Sequence, residues 1–225
     1  MLNKNKEVKE LRIKGYSIRE IARKLKMSNR DIIKITKDLK FTRHGKTRYH
    51  KIRGILKPIK NQNNAHLSKA KTRIIGHLLF DGSLFKAYNY HYTLMYVNSS
   101  YLLVRRFYED VKKVYGIDVN IYEEKGYKTP IYRVKCYSKL AYSDLLRYTK
   151  SYSTSNMVTR IPKVIINGSK QIKLEFLRTF WDDEGSISGD GTLSGSSNSY
   201  TVIKQLAEIH NEFRFKYSIY KVKSQ

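Results

Sequence analysis

Two stretches of this 225-residue chain repeat one another at an offset of about 103 residues. SKAKTRIIGHLLFDGSLF spans residues 68–85, and SKQIKLEFLRTFWDDEGSIS spans 169–188. Each opens on a serine able to cap a helix (Ser68, Ser169) and continues as an apolar run at helical spacing. Each then stops at an acid followed by Gly-Ser: Asp81-Gly82-Ser83 and Glu184-Gly185-Ser186. Self-similarity at this spacing predicts two like halves. The parts downstream repeat as well. A helical stretch at 101–116 precedes a strand at 118–125, and a helical stretch at 201–214 precedes a strand at 216–223. The first half continues with a strand at 130–138 and a helix at 139–149, for which the second half has no counterpart. The halves are therefore placed at 68–150 and 151–225, the second shortened at its C-terminal end.

The second copy ends in three acids side by side, Asp182, Asp183 and Glu184. They stand at the C-terminal pole of a predicted helix, where the helix dipole disfavours anions. Such a row is either solvated or held by a cation. The chain around it is strongly basic: Lys and Arg total 45 against 19 Asp and Glu, a net charge of +26.

That excess points to an anionic partner, nucleic acid first and an anionic membrane surface as the rival. A hydrophobic content of 40% is enough for a core and too high for a disordered chain. No apolar run approaches the roughly 20 residues of a membrane span, and no signal-peptide pattern opens the chain. The single cysteine, Cys136, excludes an internal disulfide and a zinc finger and reads as a small buried apolar residue. A cytoplasmic protein, associated with DNA and not secreted, is the expectation.

Residues 1–40 read as a separate helical unit. Val8, Leu11, Ile13, Ile18, Ile21, Ala22, Leu25, Ile32, Ile33 and Leu39 recur at helical spacing. Ser17 with Glu20 forms a capping-box pattern, and Ser28 with Asp31 repeats the cap. Three short helices with a tight turn before the last make a helix-turn-helix, and GYSIREIARKLKMSNRDI resembles that of resolvase-type DNA-binding modules. The bland alternative is a small bundle with no DNA contact. Residues 41–67 form a basic linker, punctuated by Gly45, Gly54, Pro58 and NQNN, with no acid between Asp38 and Asp81.

The two repeats, IIGHLLFDG (74–82) and LRTFWDDEG (177–185), resemble the paired motifs of single-chain LAGLIDADG homing endonucleases, and RIPKVI (160–165) is similar to that family's lead-in. The resemblance covers about residues 68–225. It implies an α+β fold: two pseudo-symmetric αββαβ(βα) halves with a curved antiparallel DNA-binding sheet, here joined to a small N-terminal all-α helix-turn-helix. It implies two motif helices packed side by side, with Gly76 and Thr179 at equivalent places in their interface. Asp81 and Glu184 then converge as the candidate catalytic and metal-holding acids. Carboxylates meeting at two helix ends need a cation, and Mg²⁺, with Mn²⁺ as a substitute, suits oxygen donors. Asp182 and Asp183 are expected to be solvent-facing or cap groups. The expected partner is double-stranded DNA, the expected state a monomer with an internal pseudo-two-fold.

The strands supply a surface. In YNYHYT (88–93) and PIYRVKCY (130–137) residue types alternate, placing Arg133 and Lys135 on one face, opposite Tyr132 and Val134. A sheet with such a face can lie in a major groove and read base edges. The basic residues nominated for DNA are Arg30, Lys34, Arg43, Arg48, Arg53, Arg133, Lys135, Lys216 and Lys223. Two other readings compete with the nuclease: a non-cleaving regulator on the same scaffold, and an RNA maturase. The second motif also departs from the usual pattern, with Arg178 where a small apolar residue is commoner.

Overall fold

A computed structural model describes residues 2–39, 67–87, 91–156 and 158–221. The chain separates into two compact units, Met1–Lys57 and Pro58–Gln225.

The first unit holds three helices: α1 (Leu2–Ile13), α2 (Ile18–Leu25) and α3 (Asn29–Thr36). The serine caps set their starts. Ser17 accepts from the Glu20 backbone while Glu20 reaches back to the Ser17 N–H at 2.7 Å, closing a capping box. Ser28 accepts from the Asp31 N–H. Between α2 and α3 Lys26 adopts a left-handed conformation (φ 50), which makes the tight turn. Val8, Leu11, Ile21 and Ile32 form the core. Ile33 departs from its apolar reading: it is 51% exposed, on α3 with the exposed Arg30 and Lys34.

The second unit is a mixed α+β body with one continuous core. Its first half runs α4 (Lys69–Leu79), β1 (Gly82–Ala87), β2 (His91–Asn98), α5 (Tyr101–Tyr115), β3 (Ile121–Glu124), β4 (Ile131–Tyr137) and α6 (Lys139–Leu145). The four strands form an antiparallel sheet in the order β1-β2-β4-β3. The second half runs α7 (Lys163–Ile166), α8 (Lys170–Glu184), β5 (Gly185–Ile187), β6 (Leu193–Gly195) and α9 (Tyr200–Glu212), with β5 and β6 paired antiparallel.

Helices α4 and α8 pack against each other at the centre. Ile74, Ile75, Leu78 and Leu79 of α4 and Phe176 of α8 are fully buried. Each such side chain contributes about 1.5–3 kcal/mol of burial energy. Ser68 and Ser169 cap the two helices through the backbones of Lys71 and Ile172. Arg73 ties three elements together, bonding both Asp110 oxygens on α5 and Glu175 of α8, each at 2.7 Å. Cys136 is buried on the core side of β4.

One expected element is absent. The described residues 216–221 carry no strand, although 216–223 has the pattern of one. In the first half β3 bonds only to β4. No counterpart of β4 follows α9 among the described residues, so the β3-like segment has no edge to join, and Tyr217, Ile219 and Tyr220 are exposed.

Candidate functional site

Asp81 follows the last turn of α4, and Glu184 is the last residue of α8. Each is followed by a glycine where the chain folds back over the helix end. A Cβ on Gly82 would lie 2.7 Å from the Leu78 Cα, and one on Gly185 would strike the Trp181 backbone. The glycine after the acid is thus a steric requirement of the turn, and it leaves each acid at the foot of its helix.

The two acids sit in an anionic setting. The Asp81 carboxyl is pushed up to about 6, first by loss of surrounding water and then by the charge of Asp183. A hydrogen bond of 2.9 Å from the Asn98 amide pulls the other way. Asn98 is itself fixed, because its carbonyl oxygen accepts from the Ser100 N–H at 2.8 Å. The Glu184 carboxyl is raised by burial, then by the charges of Asp81 and Asp183. Asp182, on the exposed side of the helix, is raised by burial as well. Among the described residues no three His, Cys, Asp or Glu side chains converge into a protein-only metal cage. Two carboxylates of raised pKa instead stand at the ends of the two packed helices, one of them feeling the charge of the other. That donor set fits a hard divalent cation whose remaining ligands are water and phosphate.

Asp183 corrects the expectation that it faces solvent or caps the helix. Its side chain is 0% exposed. Its carboxylate accepts from the Tyr96 hydroxyl at 2.6 Å and from His77 Nδ1 at 2.9 Å. His77 is 2% exposed and Tyr96 fully buried. The row of acids is therefore divided: Asp182 faces outward, Asp183 inward to the other half, and Glu184 down at the helix end. Gly76 and Thr179 meet at the α4–α8 contact.

One face of the four-stranded sheet packs on the core through Leu94, Tyr96, Val134 and Cys136. The register places Ser83, Phe85, Thr93, Met95, Val97, Arg133 and Lys135 on the other. Among the described residues, the buried side-chain polar atoms without a hydrogen-bond partner are Ser83 Oγ, Thr93 Oγ1 and Arg133 Nε, all on that outer face. Arg133 is held through Nη1 by Glu124, and Lys135 Nζ lies 5.5 Å over the Tyr137 ring. Lys216 is exposed, on the segment that forms no strand. Arg43, Arg48, Arg53 and Lys223 lie outside the described residues, as do Tyr88, Asn89 and Tyr90.

The residues that sequence reasoning missed are His77, Tyr96 and Asn98. The first carried a signal, since it interrupts an otherwise apolar helix face.

No family model matches this chain, and no curated protein matches it. Solved structures do. It is similar to mesophilic variants of the homing endonuclease I-DmoI, at 16% identity over 66% of this chain and 78% of that one, with a TM-score of 0.49. I-DmoI in complex with DNA and Mn aligns at 16% identity over 65% and 78%, with a TM-score of 0.48. The homing endonuclease I-WcaI, bound to its DNA recognition sequence, aligns at 14% over 67% and 70%, with a TM-score of 0.46. Likenesses at this level decide nothing about chemistry, which is read from the chain's own residues.

Proposed function

We propose that this chain is a sequence-specific double-stranded DNA endonuclease of the homing type, which hydrolyses phosphodiesters with a divalent cation, Mg²⁺ or Mn²⁺, held by Asp81 and Glu184. One observation supports the reading: two repeated helices pack through Gly76 and Thr179 and each ends at an acid, with the charge of Asp81 among the causes that hold the Glu184 carboxyl up. A cation held there would supply an activated water and stabilise the negative charge that develops on the phosphate and leaving oxygens. The chain's own residues do the rest. Asn98 fixes Asp81, and the two turn glycines keep Cβ atoms away from the helix ends. The outer sheet face carries Arg133, paired with Glu124, and Lys135 as cationic groups that would meet the duplex. The net charge of +26 supplies attraction to phosphates, and the exposed Arg30 and Lys34 on α3 add a second basic surface.

The test is selection from a randomised duplex library with the full-length protein, with Mg²⁺ and with EDTA. Cleavage of a discrete set of sequences in Mg²⁺ alone is the expected result. Tight binding with no cleavage in Mg²⁺ or Mn²⁺ would replace this reading with that of a non-cleaving regulator.

A further inference from the structure

The two motif helices make two sets of contacts that the repeat relates, and the sets differ in kind. At the 103-residue offset, Phe180 corresponds to His77 and Asp183 to Phe80. His77 meets Asp183 at 2.9 Å, and their counterparts meet as Phe180 and Phe80, ring centroids 5.3 Å apart. The third partner follows the same rule. Tyr96 stands opposite Gly82 in the sheet register, and Gly195 stands opposite Gly185. Tyr96 bonds Asp183. At Gly195 the space beside the backbone is taken by the Phe180 ring, 2.7 Å from where a Cβ would be. One side of the interface is thus a buried polar cluster, and the related side is aromatic packing.

The polar set adjoins both acids, through His77 one turn before Asp81 on α4 and through Asp183 on α8, but it joins the chain directly at only one of them. Asp183 directly precedes Glu184 in the chain, whereas Asp81 is preceded by Phe80 and takes its hydrogen bond from Asn98. A buried carboxylate costs several kcal/mol unless its partners are well placed, and here two donors of the other half reach it. Its hydrogen bonds fix the last turn of α8 against α4 and β2. Resting on the proposed cation site, we infer that His77, Tyr96 and Asp183 form a positioning cluster that sets Glu184 from the opposite half. The two acids are then held by different means, and Asp183 is a positioning residue, not a cation ligand.

The probe is Tb³⁺ added to the full-length protein without DNA. It binds clustered carboxylates and is sensitised by Trp181, the chain's only tryptophan. The parent should give luminescence that Asp81→Asn abolishes. Outer-shell partners of metal ligands are typically worth about 10–100-fold in affinity, so Tyr96→Phe and Asp183→Ala should each weaken Tb³⁺ about tenfold. Asp183→Asn keeps an acceptor oxygen for Tyr96 and should lose less than Asp183→Ala. Circular dichroism checks folding. If Asp183→Ala does not fold, Tyr96→Phe, which keeps the ring, decides alone. Unchanged titrations in the folded variants would overturn the inference, and so would Asp183→Asn losing as much as Asp183→Ala. A parent that shows no binding dependent on Asp81 would overturn the proposed cation site, and this inference with it.

Discussion

Thr179 occupies the space that a side chain at position 76 would need. A Cβ built on Gly76 would fall 2.8 Å from the Thr179 Cβ and collide with its hydroxyl. Thr179 is itself pinned, since its hydroxyl donates to the Phe176 carbonyl at 2.7 Å. Gly76→Ala improves helix propensity by about 1 kcal/mol in isolation. Within this contact it should instead destabilise the protein, by roughly 1–3 kcal/mol, as overpacked cores do. Adding Thr179→Gly should recover part of the loss. Chemical denaturation of the two variants and the parent checks this, and a Gly76→Ala protein more stable than the parent would show that the helices can part freely.

Much of this interface could be read from the sequence, because it repeats. The serine caps, the acid-Gly-Ser ends and the helix-strand-strand-helix order are local signals of chemistry and period. The strand expected at 216–223 is missing from the described residues 216–221 for a physical reason: alternation reports a strand's faces but not whether a neighbour exists to bond its edge. Asp183 was misread because a row of acids usually faces water. The clue lay in comparing copies, where both His77 and Asp183 stand opposite a phenylalanine. Three-dimensional pairing was needed to see that the two departures meet. Tyr96 and Asn98, on a strand 15 and 17 residues past Asp81, offered no such clue.

DNA binding should be governed by phosphate contacts. If six to ten phosphates are engaged, affinity falls about 10³–10⁵-fold between 50 and 200 mM salt. Removing Met1–Lys57, which has its own core, should weaken binding and flatten that slope while leaving the cation site in place. Fluorescence anisotropy with a labelled duplex over a salt series measures both. A salt-independent affinity would count against the nucleic-acid reading, and an unchanged slope would show that the N-terminal unit does not touch DNA.

Asp81 makes stability depend on pH in a definite direction. Its carboxyl moves from 3.8 to about 6 on folding. Between those values the folded chain binds more protons than the unfolded one, so this group's contribution to stability falls as pH rises through the window. At neutral pH and without divalent cations the ionised carboxylate is a burden. Asp81→Asn should therefore raise the melting temperature in EDTA at pH 7.5. The gain should shrink as pH falls through 6 and vanish by about pH 4, where the parent is already protonated. Calorimetric scans of parent and variant across that range test the sign, and a gain that stays constant with pH would contradict it.

The acids of the second motif should prove unequal in cleavage. Asp81→Asn and Glu184→Gln each remove an oxygen anion from the proposed cation site, so each should abolish strand cleavage in Mg²⁺. DNA affinity should hold or tighten, because a carboxylate that repels phosphates is gone. Asp182→Asn should cleave at close to the parent rate. Its side chain leaves α8 on the exposed side, away from the helix end that carries Glu184. Gel analysis of a selected duplex incubated with the three variants separates the outcomes. Equal loss in all three would mean that the acids act as bulk negative charge, and full cleavage by Glu184→Gln would mean that the second repeat's terminal acid holds no cation.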